Sequence, residues 1–169
     1  MGLSKLNTAK LLLLVTAFFA TFAVYSQDSI KIRQIDSLVN AINLADFKVQ
    51  NDTIIQNQPE VGLYMRTYLT AITNEKELKK YTNTVNATTQ NSGVTKQIIS
   101  ANVFYFHNNK LIKVEEQITD DKKKLELFWY YDDNKPIHYN LSSDKAQDRA
   151  EFLLTLSKSM LEKFESQQN

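Results

Sequence analysis

Residues 95–141, TKQIISANVFYFHNNKLIKVEEQITDDKKKLELFWYYDDNKPIHYNL, determine the fold class. Within this stretch Asn108-Asn109 suits a two-residue hairpin turn, because asparagine tolerates positive φ angles. Further turns are expected at 119–122 and 132–136, where Asp, Asn, Lys and Pro cluster. The segments between the turns are rich in β-branched and aromatic residues, which favour strands. The stretch therefore predicts an antiparallel β-meander of four or more strands.

The hydrophobic pattern selects a register for this meander, because a slip by one residue turns every side chain to the opposite face. In the preferred register Tyr105 pairs with Ile112, and Trp129 pairs with Tyr139. One face of the meander then carries the predicted core. Its members are Ile99, Val103, Tyr105, Ile112, Val114, Leu125, Leu127, Trp129, Tyr131, Ile137, Tyr139 and Leu141.

Amphipathic helices are predicted before and after this region. Residues 28–45 carry apolar side chains at the i, i+3, i+4 spacing of one helix face. A longer stripe of the same kind runs from Ala146 to Phe164, after a helix start at 142–144 with a variant capping box. Residues 47–60 are polar, and within them 56–59 are expected to form a loop. The pattern leaves the conformation of the rest of 47–90 open. The predicted fold class is α+β, an antiparallel β-meander flanked by an N-terminal and a long C-terminal amphipathic helix.

Residues 1–26 have the pattern of a secretory signal peptide. Two lysines precede an uncharged run from Leu11 to Tyr25, and polar residues follow it. This run has 15 residues, whereas a membrane-spanning helix needs about 20. We therefore expect cleavage before Gln27, a single α+β domain at 27–169 and no stable membrane anchor afterwards. The expected location is the periplasm or the exterior of a Gram-negative bacterium.

The composition excludes several classes of function. The chain has 20 basic and 19 acidic residues, three glycines and no cysteine. Balanced charge gives no basic patch for nucleic acid. Without cysteine there is no disulfide, thiolate nucleophile, lipid anchor or cysteine metal site. With so few glycines there is neither a phosphate-binding loop nor a glycine-flanked serine elbow. We expect a protein that is not an enzyme and that carries no cofactor.

Few side chains suggest chemistry. His107 and His138 lack the spacing of metal ligands, so no metal site is expected. The carboxylate pairs at 120–121 and 132–133 are attributed to turns. Glu116 points toward the predicted core, where it needs a partner such as a lysine or a position near the sheet edge.

The second face of the predicted meander carries the candidate binding residues, which are Phe104, Phe106, Leu111, Lys113, Phe128, Tyr130 and His138. A solvated face would carry polar residues there instead. The aromatic side chains therefore indicate either a recognition surface or a second core beneath the N-terminal helix or the segment 62–90. Complete burial of the aromatic residues by the chain itself would exclude the recognition surface.

Two main functions remain, and each has a structural test. The first is an exported, non-catalytic interaction module for an unknown protein partner, using the aromatic face or the exposed hairpins. The second is a carrier of an apolar ligand or lipid. It requires a cavity of about 300 Å³ or more between the sheet and the C-terminal helix. A small carboxylate-based hydrolase is a lesser alternative, because its acid and base can come from distant positions.

Overall fold

The computed structural model describes residues 28–74, 77–91, 94–120 and 123–167. A helix α1 spans residues 28–44, and a helix α2 spans Ala146–Ser166. Between them run seven strands: β1 Lys48–Gln58, β2 Leu63–Asn74, β3 Glu77–Asn91, β4 Val94–His107, β5 Lys110–Asp120, β6 Lys123–Asp132 and β7 Lys135–Tyr139. The α+β class and the β-meander are thus confirmed. The predicted signal peptide lies outside the described residues.

The seven strands form one antiparallel sheet in the order of the chain. Asn108 and Asn109 have φ angles of 52° and 55°, and Asp133 and Asn134 have φ angles of 48° and 63°. These left-handed conformations are well tolerated by Asn and Asp. Both hairpin turns are therefore where the sequence predicts them.

The expectation of a loop at 56–59 is wrong for residues 56–58, which belong to strand β1. Strand β1 pairs with β2 over its whole length without a register shift, although all its side chains are exposed. An edge strand of this kind is held by backbone hydrogen bonds, so it needs no apolar alternation. A 3-10 turn at Pro59–Val61 leads to Gly62, whose φ is 63°. A Cβ at Gly62 would collide with the Gln90 carbonyl oxygen, which explains the glycine.

The predicted register of β4 and β5 is wrong beyond the hairpin turn. Phe106 pairs with Leu111, but Tyr105 pairs with Lys113 instead of Ile112. Ile112 is therefore the extra residue of a β-bulge, which reverses the match between the faces of the two strands. The predicted pairing of Trp129 with Tyr139 is confirmed.

Helices cover both faces of the sheet, so the protein has two cores, and the bulge decides which residues of the strands belong to each. The face of the sheet that we name the α2 face packs Leu78, Phe104, Phe106, Leu111, Val114, Leu127, Trp129 and Tyr131 against Ala146, Ala150 and Leu153 of α2. The opposite face, named the α1 face, packs Tyr105, Ile112 and Tyr130 against Ile35, Val39 and Ile42 of α1. The twelve predicted core residues are divided between these two faces.

The helices cover only part of the sheet. Ile99 and Leu125 were both expected in the core, but they are 37% and 48% exposed. They lie toward the ends of their strands that are distant from the turns at 108–109 and 133–134. The hydrophobic pattern alone could not predict the exposure of Ile99 and Leu125. It shows on which face of the sheet a residue lies, but not how much of that face a helix covers.

The predicted capping box at the start of α2 is also wrong. Lys145 occupies the N-cap position without a side-chain capping bond. The Ser143 hydroxyl accepts the Lys145 backbone N–H at 3.2 Å, and the Gln147 amide donates to Glu151 at 2.8 Å. The backbone N–H near the start of the helix is therefore bonded by Ser143, and Gln147 bonds a side chain one turn further along the helix instead of the N-cap backbone.

Candidate functional site

The seven predicted binding residues do not form one surface. Phe104 and Phe106 are 1% and 0% exposed and, with Leu111, lie in the core beneath α2. Phe128, Lys113 and Tyr130 instead face α1. His138 is exposed, with its ring centroid 5.8 Å from that of Tyr130. The bulge at Ile112 is the physical reason for this division, because Phe104, Phe106 and Leu111 lie on the α2 face whereas Lys113, beyond the bulge, lies on the α1 face.

Lys113 joins the sheet to α1. Its Nζ lies 3.0 Å from Asp36 Oδ1 and 3.0 Å from Glu115 Oε1, and it sits 5.0 Å from the Tyr130 ring centroid. The Tyr130 hydroxyl donates to the same Asp36 oxygen at 3.0 Å. Burial lowers the pKa of Lys113, but the bonds to Asp36 and Glu115 outweigh it and leave the pKa above its ordinary value. The bonds of Lys113 and Tyr130 to Asp36 therefore attach α1 to strands β5 and β6.

Glu116 of β5 forms an ion pair with Arg149 of α2. Its carboxylate is buried and is bound by the Arg149 guanidinium of α2, with Nε 3.3 Å from Oε2 and Nη2 on Oε1. The partner that we expected for this carboxylate is therefore an arginine of α2. A paired carboxylate of this kind is a structural anchor.

The histidines lie apart from any cluster of ligands. In the part of the chain that the structure describes, no group of three or more His, Asp or Glu residues could hold a metal ion. Of the helices formed by the described residues, none combines the length and apolarity needed to cross a membrane.

A cavity of about 310 Å³ lies between the C-terminal half of α2 and strands β1–β3. Six apolar or aromatic residues, named here the floor, line it: Leu69, Ala71, Leu78, Tyr81, Met160 and Phe164. Five polar residues, named the rim, complete it: Gln50, Asn51, Asp52, Lys163 and Gln167. This combination of an apolar wall and a few polar groups is typical of small-molecule sites.

Local periodicity explains how the cavity is formed. Leu69 and Ala71 are two residues apart on β2 and therefore share a face, and Ala71 pairs with Tyr81 across the ladder. Met160 and Phe164 are four residues apart on α2 and lie on one helix face. The methyl group of Ala71 is too small to fill the space between helix and sheet, so a void remains there.

The Asp52 carboxylate of the rim lies near Tyr81, a half-buried residue of the floor. Burial, and then the nearby Asp52 carboxylate, raises the pKa of Tyr81. Asp52 Oδ1 also accepts the Thr53 backbone N–H at 2.7 Å. No carboxylate of the described residues forms a salt bridge with Lys163, so its ammonium group is available at the rim.

A cavity between the sheet and the C-terminal helix was one of the alternatives that the sequence left open, but its lining was not predicted. Met160 and Phe164 belong to the predicted helix stripe and were interpreted as core, and the conformation of residues 47–90 was left open. The polar character of β1 beside the more apolar β2 is the signal in the sequence for a partly open core at this side.

Comparisons of the chain with protein-family models, with curated proteins and with solved structures found no match.

Proposed function

We propose that this protein is an exported, non-catalytic carrier that binds one small apolar or amphipathic ligand between α2 and strands β1–β3. The observation that carries the proposal is the cavity of about 310 Å³ with its apolar floor and polar rim. Ligand sites commonly enclose about 300–1,000 Å³ and combine these two kinds of lining. Burial of Phe104 and Phe106 takes these rings out of the aromatic face, so the alternative, a protein-interaction module, would have to use the exposed hairpins instead.

The volume limits the size of the ligand. A molecule of liquid water takes about 30 Å³, so a cavity of 310 Å³ has room for roughly ten waters. A single short alkyl chain or one aromatic ring system is of this size. A lipid with two long acyl chains is too large.

The rim indicates the polarity of the ligand. An apolar body would contact the floor and release the water there, which is the main source of affinity in such sites. A carboxylate or other anionic head group would then lie beside the ammonium group of Lys163, which forms no salt bridge with any described carboxylate. Because the lining contains a single carboxylate, Asp52, it lacks the pair of acids that a carboxylate-based hydrolase needs.

The test is binding of decanoate, measured by isothermal titration calorimetry, to the protein and to a variant with a filled cavity. Ala71→Leu places extra methyl groups on the floor and is expected to weaken binding at least tenfold. The matched control is Ala87→Leu, which lies on the same face of the sheet but is not part of the lining. It should leave affinity unchanged.

Thermal unfolding separates lost binding from lost folding in these variants. Filling a void restores packing contacts, so the Tm of Ala71→Leu should equal or exceed that of the unmodified protein. Absence of saturable binding for decanoate and for the neutral probe decanol would refute the carrier. Equal affinities for Ala71→Leu and the unmodified protein would also do so.

A further inference from the structure

Strand β1 is a long, unprotected edge of the sheet. Its eleven residues are all exposed, its pairing with β2 has no bulge, and it contains no proline. The other edge strand, β7, has five residues and includes Pro136. Exposed edges offer unpaired backbone groups to other strands, and proteins usually protect them with proline, bulges or short length. Strand β7 uses all three devices, since its ladder with β6 also has a register shift, and β1 uses none of them.

The outward backbone groups of β1 can be identified from one hydrogen bond. The Thr53 N–H is taken by the Asp52 carboxylate at 2.7 Å, which indicates that it points away from β2. Because the direction of backbone groups alternates along a strand, Asn51, Ile55 and Asn57 point the same way. These residues can form a ladder with an additional strand.

The sequence of this edge is nearly palindromic. Residues 50–58 read QNDTIIQNQ, with Ile54 at the centre. Gln50 matches Gln58, Asn51 matches Asn57, and the β-branched Thr53 matches Ile55, which is also β-branched. A two-fold interface requires that residue i meets j while j meets i. A palindromic strand satisfies this condition when it pairs antiparallel with its own copy.

We propose that the occupant of this edge is β1 of a second copy of the chain, paired antiparallel about a two-fold axis at Ile54. The two seven-stranded sheets then form one continuous sheet. Four pairs of outward residues, Thr53 with Ile55 and Asn51 with Asn57 in both directions, exchange about eight backbone hydrogen bonds.

The side chains complement one another in this register. Gln50 meets Gln58 and Asn51 meets Asn57, and an amide both donates and accepts hydrogen bonds. Asp52 meets the amide of Gln56, which can replace the Thr53 N–H as its donor. Centring the axis on Asp52 instead would place two carboxylates opposite each other, which is unfavourable. The charge pattern therefore favours Ile54.

Cysteine crosslinking tests the register directly. The chain has no cysteine, so Ile54→Cys introduces its sole thiol. In the proposed ladder residue 54 forms a non-hydrogen-bonded pair with itself, with Cα atoms about 4.5 Å apart, which lies within the range for disulfides. Mild oxidation should yield a covalent dimer on non-reducing gels.

The matched control is Gln56→Cys on the same strand and face. Its thiols would be separated by four residues, or about 13 Å, and should not crosslink. Equal crosslinking of the two variants, or none in either, would overturn the register.

The stoichiometry is tested by sedimentation velocity over a wide range of protein concentrations. The unmodified protein and Ile55→Val should form a dimer. Ile55→Pro removes one outward N–H without removing a bond to β2, and it should weaken association at least tenfold. Thermal unfolding confirms that the variant is folded. A monomeric unmodified protein at every concentration, or equal dimerisation of the Pro and Val variants, would refute the proposal.

Discussion

Replacement of Lys113 by methionine is expected to weaken the attachment of α1 to the sheet. The Lys113 ammonium group bonds Asp36 of α1 and Glu115 of β5, each at 3.0 Å, and its side chain is only 10% exposed. Methionine keeps an apolar chain of similar length in the same space, so packing is largely preserved. The substitution therefore removes the charge and its bonds rather than opening a cavity.

The size of the effect follows from the exposure of the partners. Hydrogen bonds to charged groups contribute about 1.5–3 kcal/mol each when buried. However, the side chains of Asp36 and Glu115 are 46% and 34% exposed, so both regain water when the lysine is lost. Exposed ion pairs contribute about 0–1 kcal/mol. Between these limits, we expect the free energy of unfolding to fall by about 2 kcal/mol.

Urea unfolding at pH 7, followed by circular dichroism, measures this change. The control is Lys110→Met, since Lys110 pairs with Asp133 at 2.6 Å but the side chains are 51% and 77% exposed. Its expected cost is below about 0.5 kcal/mol. If Lys113→Met cost no more than Lys110→Met, the argument that burial of Lys113 makes its ion pairs important would be wrong.

The pH dependence of the Lys113 contribution has a definite sign. Its partners raise the pKa of Lys113 in the folded state, whereas the pKa in the unfolded chain is about 10.4. The contribution is therefore complete at neutral pH and is lost as pH rises above about 10. Between pH 6 and 9, the stability difference between Lys113→Met and the unmodified protein should remain constant in urea titrations.

Three further predictions concern the ion pair on α2, alkaline stability and export. Glu116→Gln, which removes the buried carboxylate bound by Arg149, should cost about 2 kcal/mol in urea unfolding, while Glu126→Gln at an exposed pair should cost almost nothing. Burial raises the pKa of Tyr131, so the unfolded chain loses its proton first and stability should decrease above pH of about 10. Tyr131→Phe should make that decrease shallower in unfolding curves at pH 7 and pH 10.5. Intact mass spectrometry of the protein produced from the full sequence in a Gram-negative host should give a chain that begins at Gln27, and a chain retaining residues 1–26 would contradict the predicted cleavage and export.

Part of the fold was predictable because it depends on local physics. The turns at Asn108-Asn109 and Asp133-Asn134 follow from the tolerance of these residues for positive φ. The two helices were predicted from the spacing of their apolar residues. That spacing follows from the helical repeat of the backbone and does not depend on distant residues. Such features need only a few neighbouring positions, and they established the α+β meander.

Other features depend on how the elements meet, and the sequence alone did not determine them. One extra residue at Ile112 moved Phe104 and Phe106 beneath α2, and no local pattern distinguishes a strand with a bulge from one without. The polar β1 was not recognised as a strand, and its last residues were interpreted as a loop, because a strand held by its neighbour needs no apolar signal of its own. Glu116 required a partner, but only the packing of α2 identified it as Arg149.

The sequence by itself thus determined the class of the fold, the turns and the periodic faces of the helices, because these follow from backbone preference and spacing. The tertiary structure decided which faces are buried, where a cavity remains and which edge is open. These depend on the distance between α2 and β1–β3 and on the length of sheet that each helix covers, which are properties of the packed molecule. The candidate ligand site arises from that packing, since its floor combines Leu69 and Ala71 with Met160 and Phe164, about ninety residues later in the chain.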